Sequence, residues 1–289
     1  MMTAREGIAP AAENHMLGIT ERTIDIREVV RSKSERLARM LPGFAYRYLR
    51  KILHEEEINK FLWENRHRQD FDFVDAVLRF FNVRVTVHGI ENIPAEGKVI
   101  LASNHPLGGL DGVALMHTIG RVRRDAVIMV NDLLMFLPNV RNLFVPVNKH
   151  GRNTENINAV NRVFAGENII PMFPAGLCSR KQSGVICDLE WKSTFVSQAR
   201  RNQRIVVPVY FSGRNSNFFY NLARLRKFFR IKANIEMFFL VNEMFKQYDK
   251  EFVITIGEPI PHTRFDKSRK PREWADWVKD IVYRLGEGK

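Results

Sequence analysis

The sequence predicts an α/β fold, a mostly parallel central sheet flanked by helices and preceded by an N-terminal helical lobe. Three observations predict it. From residue 83 onward, strand-like and helix-like segments alternate, as in a chain of βαβ units. The strand candidate Val99-Ile100-Leu101-Ala102 is a continuous apolar run, the signature of a strand buried on both faces. Residues 26–81 show helical spacing of apolar positions instead. With 289 residues, 45% of them hydrophobic, the chain can bury one sizeable core. We therefore expect a helical region over residues 1–82 and an α/β unit over residues 83–289.

Taken in order, residues 1–20 have no firm periodicity and read as a loose leader. Ile26, Val29, Val30, Leu37 and Met40 mark a helix that Pro42-Gly43 ends. A second helix runs over 44–67, with Tyr48, Leu49, Ile52, Ile58, Phe61 and Leu62 on helical spacing, and a third over 71–81. Residues 83–87 alternate as a strand and lead into the turn-prone Asn92-Ile93-Pro94-Ala95-Glu96-Gly97. After the strand 99–102, residues 112–119 form a helix. Further strands are expected at 126–130, 143–147, 169–173, 205–210 and 252–256. Helices are expected at 154–165, 190–201, 217–229 and 271–285.

Composition narrows the partners. Lys and Arg number 45 against 32 Asp and Glu, a net charge of +13, so an anionic partner is expected. Nucleic acid, an acidic membrane surface, an acidic carrier or an acidic substrate each fit that charge. No helix-turn-helix, zinc-finger or RNA-recognition signature occurs, and the cations are spread along the chain, so nucleic acid is not expected. The two cysteines, Cys178 and Cys187, predict a reducing compartment rather than a disulfide framework. No apolar window reaches membrane-spanning length and no export signal opens the chain, which predicts a cytoplasmic protein that at most lies on a membrane. The segment Phe44-Ala45-Tyr46-Arg47-Tyr48-Leu49-Arg50-Lys51 suits such an anionic surface. Phe218-Phe219-Tyr220 with Arg224, Arg226, Lys227 and Arg230 is a second candidate for such a surface, but there the aromatics are expected in the core and the cations on a solvated face. The histidines lack the paired spacing of a zinc site, so no metal is expected.

Two stretches carry candidate chemistry. In Ser103-Asn104-His105-Pro106-Leu107-Gly108-Gly109-Leu110-Asp111, a strand runs into a glycine bend between a histidine and an aspartate. Histidine titrates near neutral pH, and a carboxylate at its other ring nitrogen fixes the tautomer of a general base. The other reading is an ordinary loop in which Asp111 caps the following helix. In Phe173-Pro174-Ala175-Gly176-Leu177-Cys178-Ser179-Arg180-Lys181, a strand again enters a Pro/Gly turn, followed by a hydroxyl and two cations. Such a turn suits a phosphate or carboxylate, or is simply a solvated basic turn. Cys178 has no activating neighbour in sequence and reads as a structural thiol.

Asn104-His105 with a following aspartate, then Phe173-Pro174-x-Gly176, resembles the lysophospholipid acyltransferase family of glycerolipid synthesis, whose hallmarks are His-x4-Asp and Phe-Pro-Glu-Gly. Between them, Phe144-Val145-Pro146-Val147-Asn148-Lys149 resembles the family's third block, and Val206-Val207-Pro208-Val209 the fourth. Five residues rather than four separate His105 from Asp111, and Ala175 stands at the usual glutamate. With Asp188, Glu190 and Trp191, these departures are similar to the hemolysin-like subgroup, which includes O-acyltransferases of lyso amino-acid lipids of the ornithine and glycine types.

The resemblance implies transfer of a fatty acyl group from acyl carrier protein or coenzyme A thioester to a lyso-lipid hydroxyl, with no bound cofactor. His105 would be the base and Asp111 its orienting partner. Asn104, Gly108, Gly109, Lys149, Arg152, Gly176, Ser179, Arg180 and Lys181 would bind substrate, with Asp188 and Trp191 as companions. It implies lipid synthesis at the inner face of the cytoplasmic membrane, with a lyso amino-acid lipid as acceptor. Phosphatidic acid synthesis from 1-acylglycerol-3-phosphate is the alternative, and a catalytically silent lipid- or nucleic-acid-binding protein is another.

Overall fold

The computed structural model describes residues 23–130, 134–135, 137–146, 154–231 and 234–287. Its centre is a five-stranded sheet built from β1 (Arg84–His88), β2 (Val99–Ser103), β5 (Ile169–Met172), β8 (Ile205–Phe211) and β9 (Glu251–Ile256). Across the sheet their order is β1-β9-β8-β2-β5. All neighbouring pairs are parallel except β8 with β9. A short parallel pair, β3 (Ile128–Val130) and β4 (Phe144–Pro146), stands beside β5 through the Val127 N–H to Ile169 O bond.

Strand β2 is buried along its whole length because helices cover both faces. Val99 and Leu101 join one cluster with Val207, Val209 and the N-terminal helices α4 (Glu55–Glu64) and α5 (Asp70–Phe80). Ile100 and Ala102 face the other way, against α8 (Thr194–Asn202) and α11 (Pro271–Glu287). The helices before β1 thus share a core with the sheet.

Local chemistry moves several expected boundaries. The helix expected at 26–40 is two, α1 (Ile26–Lys33) and α2 (Glu35–Met40), because Ser34 is extended. The helix expected at 44–67 divides into α3 (Gly43–Ile52) and α4 at His54, which takes a left-handed φ of 51°. The helix expected from 190 begins at Thr194, since Glu190 and Trp191 lie in irregular chain. Helix α6 is Leu110–Gly120, α7 is Thr154–Ala165 and α9 is Asn217–Phe228. A short helix, α10 (Leu240–Phe245), and a hairpin of β6 (Arg180–Gln182) and β7 (Val185–Cys187) were not expected. The hairpin turns on Ser183-Gly184, both at positive φ, as a two-residue turn that matches strand twist requires. The leader at 1–20 lies outside the described residues.

One buried cation fixes the edge of the sheet. Arg204, fully buried, donates to the carbonyls of Val99, Val163, Phe164, Gly166 and Asn168, satisfying the C-terminal turn of α7. Arg204→Leu leaves those buried acceptors unpaired, at about 1–3 kcal/mol for each group not rescued by water. We expect it to lower unfolding free energy by about 3 kcal/mol or more, measured by denaturant titration.

Candidate active site

The C-terminal ends of the three adjacent parallel strands β5, β2 and β8 converge, the place where open α/β sheets put ligands. His105 follows β2, Phe173 follows β5, and Asn215 lies just beyond β8. Asn104 joins β2 to β8: its amide donates to Phe211 O at 2.9 Å and accepts from Phe211 N–H at 2.7 Å. Both ends of that side chain are therefore committed to the backbone.

His105 Nδ1 lies 2.9 Å from Asp111 Oδ2. Asp111 is fully buried in the first turn of α6, where it does not cap the helix; Gly109 holds that position. Its carboxylate folds back instead, accepting from the N–H groups of Leu107, Gly108 and Gly112. The bend turns at Gly108, whose φ of +84° is open to glycine. A side chain there would also meet Leu240 and Cys178 at 3.0–3.1 Å. Gly109 is exposed beside it. Asn215, buried, donates to the carbonyls of Pro106 and Leu107 and holds the bend from the β8 side.

The His105 ring stacks on Phe173 with centroids 4.0 Å apart and is 16% exposed, so one edge stays open. Among the described residues, no hydrogen bond takes Nε2. Burial alone would lower the His105 pKa, but the charge and hydrogen bond of Asp111 outweigh it, with Asp188 adding, and the pKa is raised. For Asp111, burial pushes up and His105 with the backbone N–H groups pulls down further, so its pKa is lowered.

The second stretch braces the first. Ser179 N–H donates to His105 O at 2.7 Å, and His105 N–H donates to Asp188 Oδ1 at 3.2 Å. The Ser179 hydroxyl and Trp191 Nε1–H also donate to the Asp188 carboxylate, at 2.6 and 2.8 Å. Ser179, Asp188 and Trp191 are all buried, so the structure sets them behind His105 rather than at an open anion site. Burial pushes the Asp188 carboxyl up, against those donors.

Arg180 departs furthest from its expected setting. It turns inward and is buried, donating to Cys178 O and Sγ and pairing with Glu236 at 2.9 Å. Glu236 also pairs with Arg226, and Arg180 lies 4.9 Å over the Phe219 ring. A free surface cation is therefore not what Arg180 supplies. Burial pushes the Cys178 thiol up to about 11, which suits a structural thiol. Lys181 is exposed on β6 and Gly176, φ +66°, is exposed at the turn, whereas Ala175 packs into the apolar cluster. Lys149 and Arg152 lie outside the described residues. Glu236, Asn215 and the ring role of Phe173 went unread, since nothing local marks a partner that lies far along the chain.

A family model described as Acyltransferase matches residues 28–288. The chain is 48% identical over 264 residues to a lyso-glycine lipid O-acyltransferase of Bacteroides thetaiotaomicron, covering 91% of this chain and 97% of that one. A lyso-glycine lipid O-acyltransferase of Phocaeicola vulgatus is 46% identical over 264 residues, covering 91% and 95%. The crystal structure of the 1-acyl-sn-glycerophosphate acyltransferase PlsC from Thermotoga maritima aligns over 90% of this chain and 87% of that one, at 18% identity and a TM-score of 0.46.

Proposed function

The chain belongs to the acyltransferase family, and from that membership we propose that it transfers a fatty acyl group from an acyl thioester to the hydroxyl of a lyso amino-acid lipid of the glycine type. The observation that carries the chemistry is His105, with Nδ1 held by buried Asp111 and Nε2 taken by no hydrogen bond among the described residues. A carboxylate at Nδ1 keeps the proton there and leaves the Nε2 lone pair for an incoming hydroxyl.

His105 Nε2 takes the proton as the acceptor oxygen attacks the thioester carbonyl. The tetrahedral intermediate then expels the thiolate, which receives that proton from His105, so no acyl group is held on the protein. The Gly109 amide, which Asp111 does not engage, and the N-terminal end of α6 place partial positive charge where the oxyanion forms. Asn104, Asn215, Ser179, Asp188 and Trp191 are positioning residues, and Lys181 with Lys149 and Arg152 supplies the charge for anionic substrate groups. The donor is acyl carrier protein or coenzyme A thioester. Among the described residues, no helix is long and apolar enough to cross a membrane. The protein then works peripherally at the inner face of the cytoplasmic membrane, and α3 supports this, with Phe44 72% and Tyr48 54% exposed beside Arg47 and Lys51.

The acceptor is tested by lipid profiles of a strain lacking the protein, complemented with wild type or His105→Ala. Loss of the O-acylated glycine lipid with accumulation of its lyso form, rescued only by wild type, is expected. Accumulation of lysophosphatidate instead would overturn the acceptor assignment.

A further inference from the structure

Phe218, Phe219 and Tyr220 of α9 were expected in the core, and Phe218 is instead 49% exposed. Phe219 and Tyr220 are in the core, but Phe228 is 79%, Phe229 62% and Leu225 53% exposed. Phe218, Leu225 and Phe229 recur at the spacing of one helix face, and Phe218 packs edge-on against Phe239 of the 3-10 turn Ile235–Phe239, beside exposed Phe238. Arg224, Lys227 and Arg230 are exposed along the same segment, and none has an ion-pair partner among the described residues.

We propose that this face docks on an anionic phospholipid bilayer and presents the catalytic bend to it. The inference rests on the lipid-acyltransferase reading for its purpose, while the geometry stands apart from it. Aromatic side chains with unpaired cations along the same segment fit the headgroup boundary, where rings enter the acyl region and cations meet phosphates. A symmetric contact with a second copy would bring both sets of Arg224, Lys227 and Arg230 to one interface, a concentration of like charge that opposes pairing. The face is also continuous with the site. The 3-10 turn leads directly into α10, where Leu240 lies against Gly108 and Met244 against Gly109. Glu236 of the same turn clamps Arg180 and Arg226, tying the hairpin behind His105 to α9. A lipid surface held by α9 is therefore one short segment from the bend.

The test uses the full chain in flotation with vesicles of phosphatidylglycerol and phosphatidylcholine, against vesicles of phosphatidylcholine alone. Phe228→Glu/Phe229→Glu, checked for an unchanged melting temperature, is expected to weaken partition to the anionic vesicles at least about tenfold. Its activity on detergent-dispersed lyso-lipid is expected to stay at the wild-type level. Arg224→Glu/Lys227→Glu is expected to weaken binding too and to remove its salt dependence. Wild-type partition retained by Phe228→Glu/Phe229→Glu overturns the proposal. So does a wild-type dimer that light scattering shows becoming monomer in that variant, because the face would then be a self-association surface. Vesicle binding by a protein with no acyl transfer at all would leave the docking face standing and remove the functional reading alone.

Discussion

His105→Ala is expected to lower turnover by about 10²–10⁴-fold, the usual worth of a general base. The loss belongs in kcat. His105 meets the acceptor proton only as the new bond forms, so the KM for lyso-lipid changes little. The substitution also empties the space against Phe173, where the ring is stacked at 4.0 Å. His105→Gln, which refills much of that space without a titratable base, separates packing from catalysis. Asp111 keeps its three backbone donors in either variant, so the bend should persist. Thioester consumption in the presence of lyso-lipid is the measurement. Either variant retaining more than about a tenth of wild-type turnover would remove His105 from the role of base.

The sequence makes the parts of this site that depend on local chain direction legible. Apolar runs gave the buried strands β2, β5 and β8, and a residue just past a strand end had to lie at the edge where His105 is found. The His105–Asp111 pair is close in sequence, so a glycine bend was enough to suggest their meeting. What stayed hidden depends on partners brought in from afar. Arg180 looks like a surface cation until Glu236 folds over it, and Asn215 looks like an ordinary turn residue until it reaches Pro106 and Leu107. Likewise, helical periodicity continues through Ser34 and His54, because a break made by one residue's backbone leaves the apolar pattern on either side intact. In α9, aromatic content by itself could not divide Phe219 and Tyr220, which enter the core, from Phe228 and Phe229, which remain on the surface.

Asp111→Asn separates orientation from proton acceptance. An amide at this position offers the same carbonyl oxygen to Leu107 and Gly108 N–H, so the bend can keep its shape. Its charge is gone, however: the same oxygen position faces His105 Nδ1, so the imidazole keeps its tautomer but loses the carboxylate that stabilises the imidazolium formed as the hydroxyl gives up its proton. Without that stabilisation the imidazole is a weaker base, and turnover is expected to fall about 10²-fold or more. The pH profile distinguishes the two variants. In the wild type, activity falls on the acid side as His105 takes up a proton, at a pKa held above its ordinary value because Asp111 outweighs the effect of burial. With an amide in place of the carboxylate, burial continues to disfavour the imidazolium while the main opposing charge is lost. His105 then protonates only at lower pH, and the acid limb of the residual kcat/KM profile moves down in pH. His105→Ala instead loses that limb altogether. An Asp111→Asn enzyme whose acid limb stays at the wild-type pH would show that the limb belongs to another group, and the pairing at 2.9 Å would not be what tunes the base.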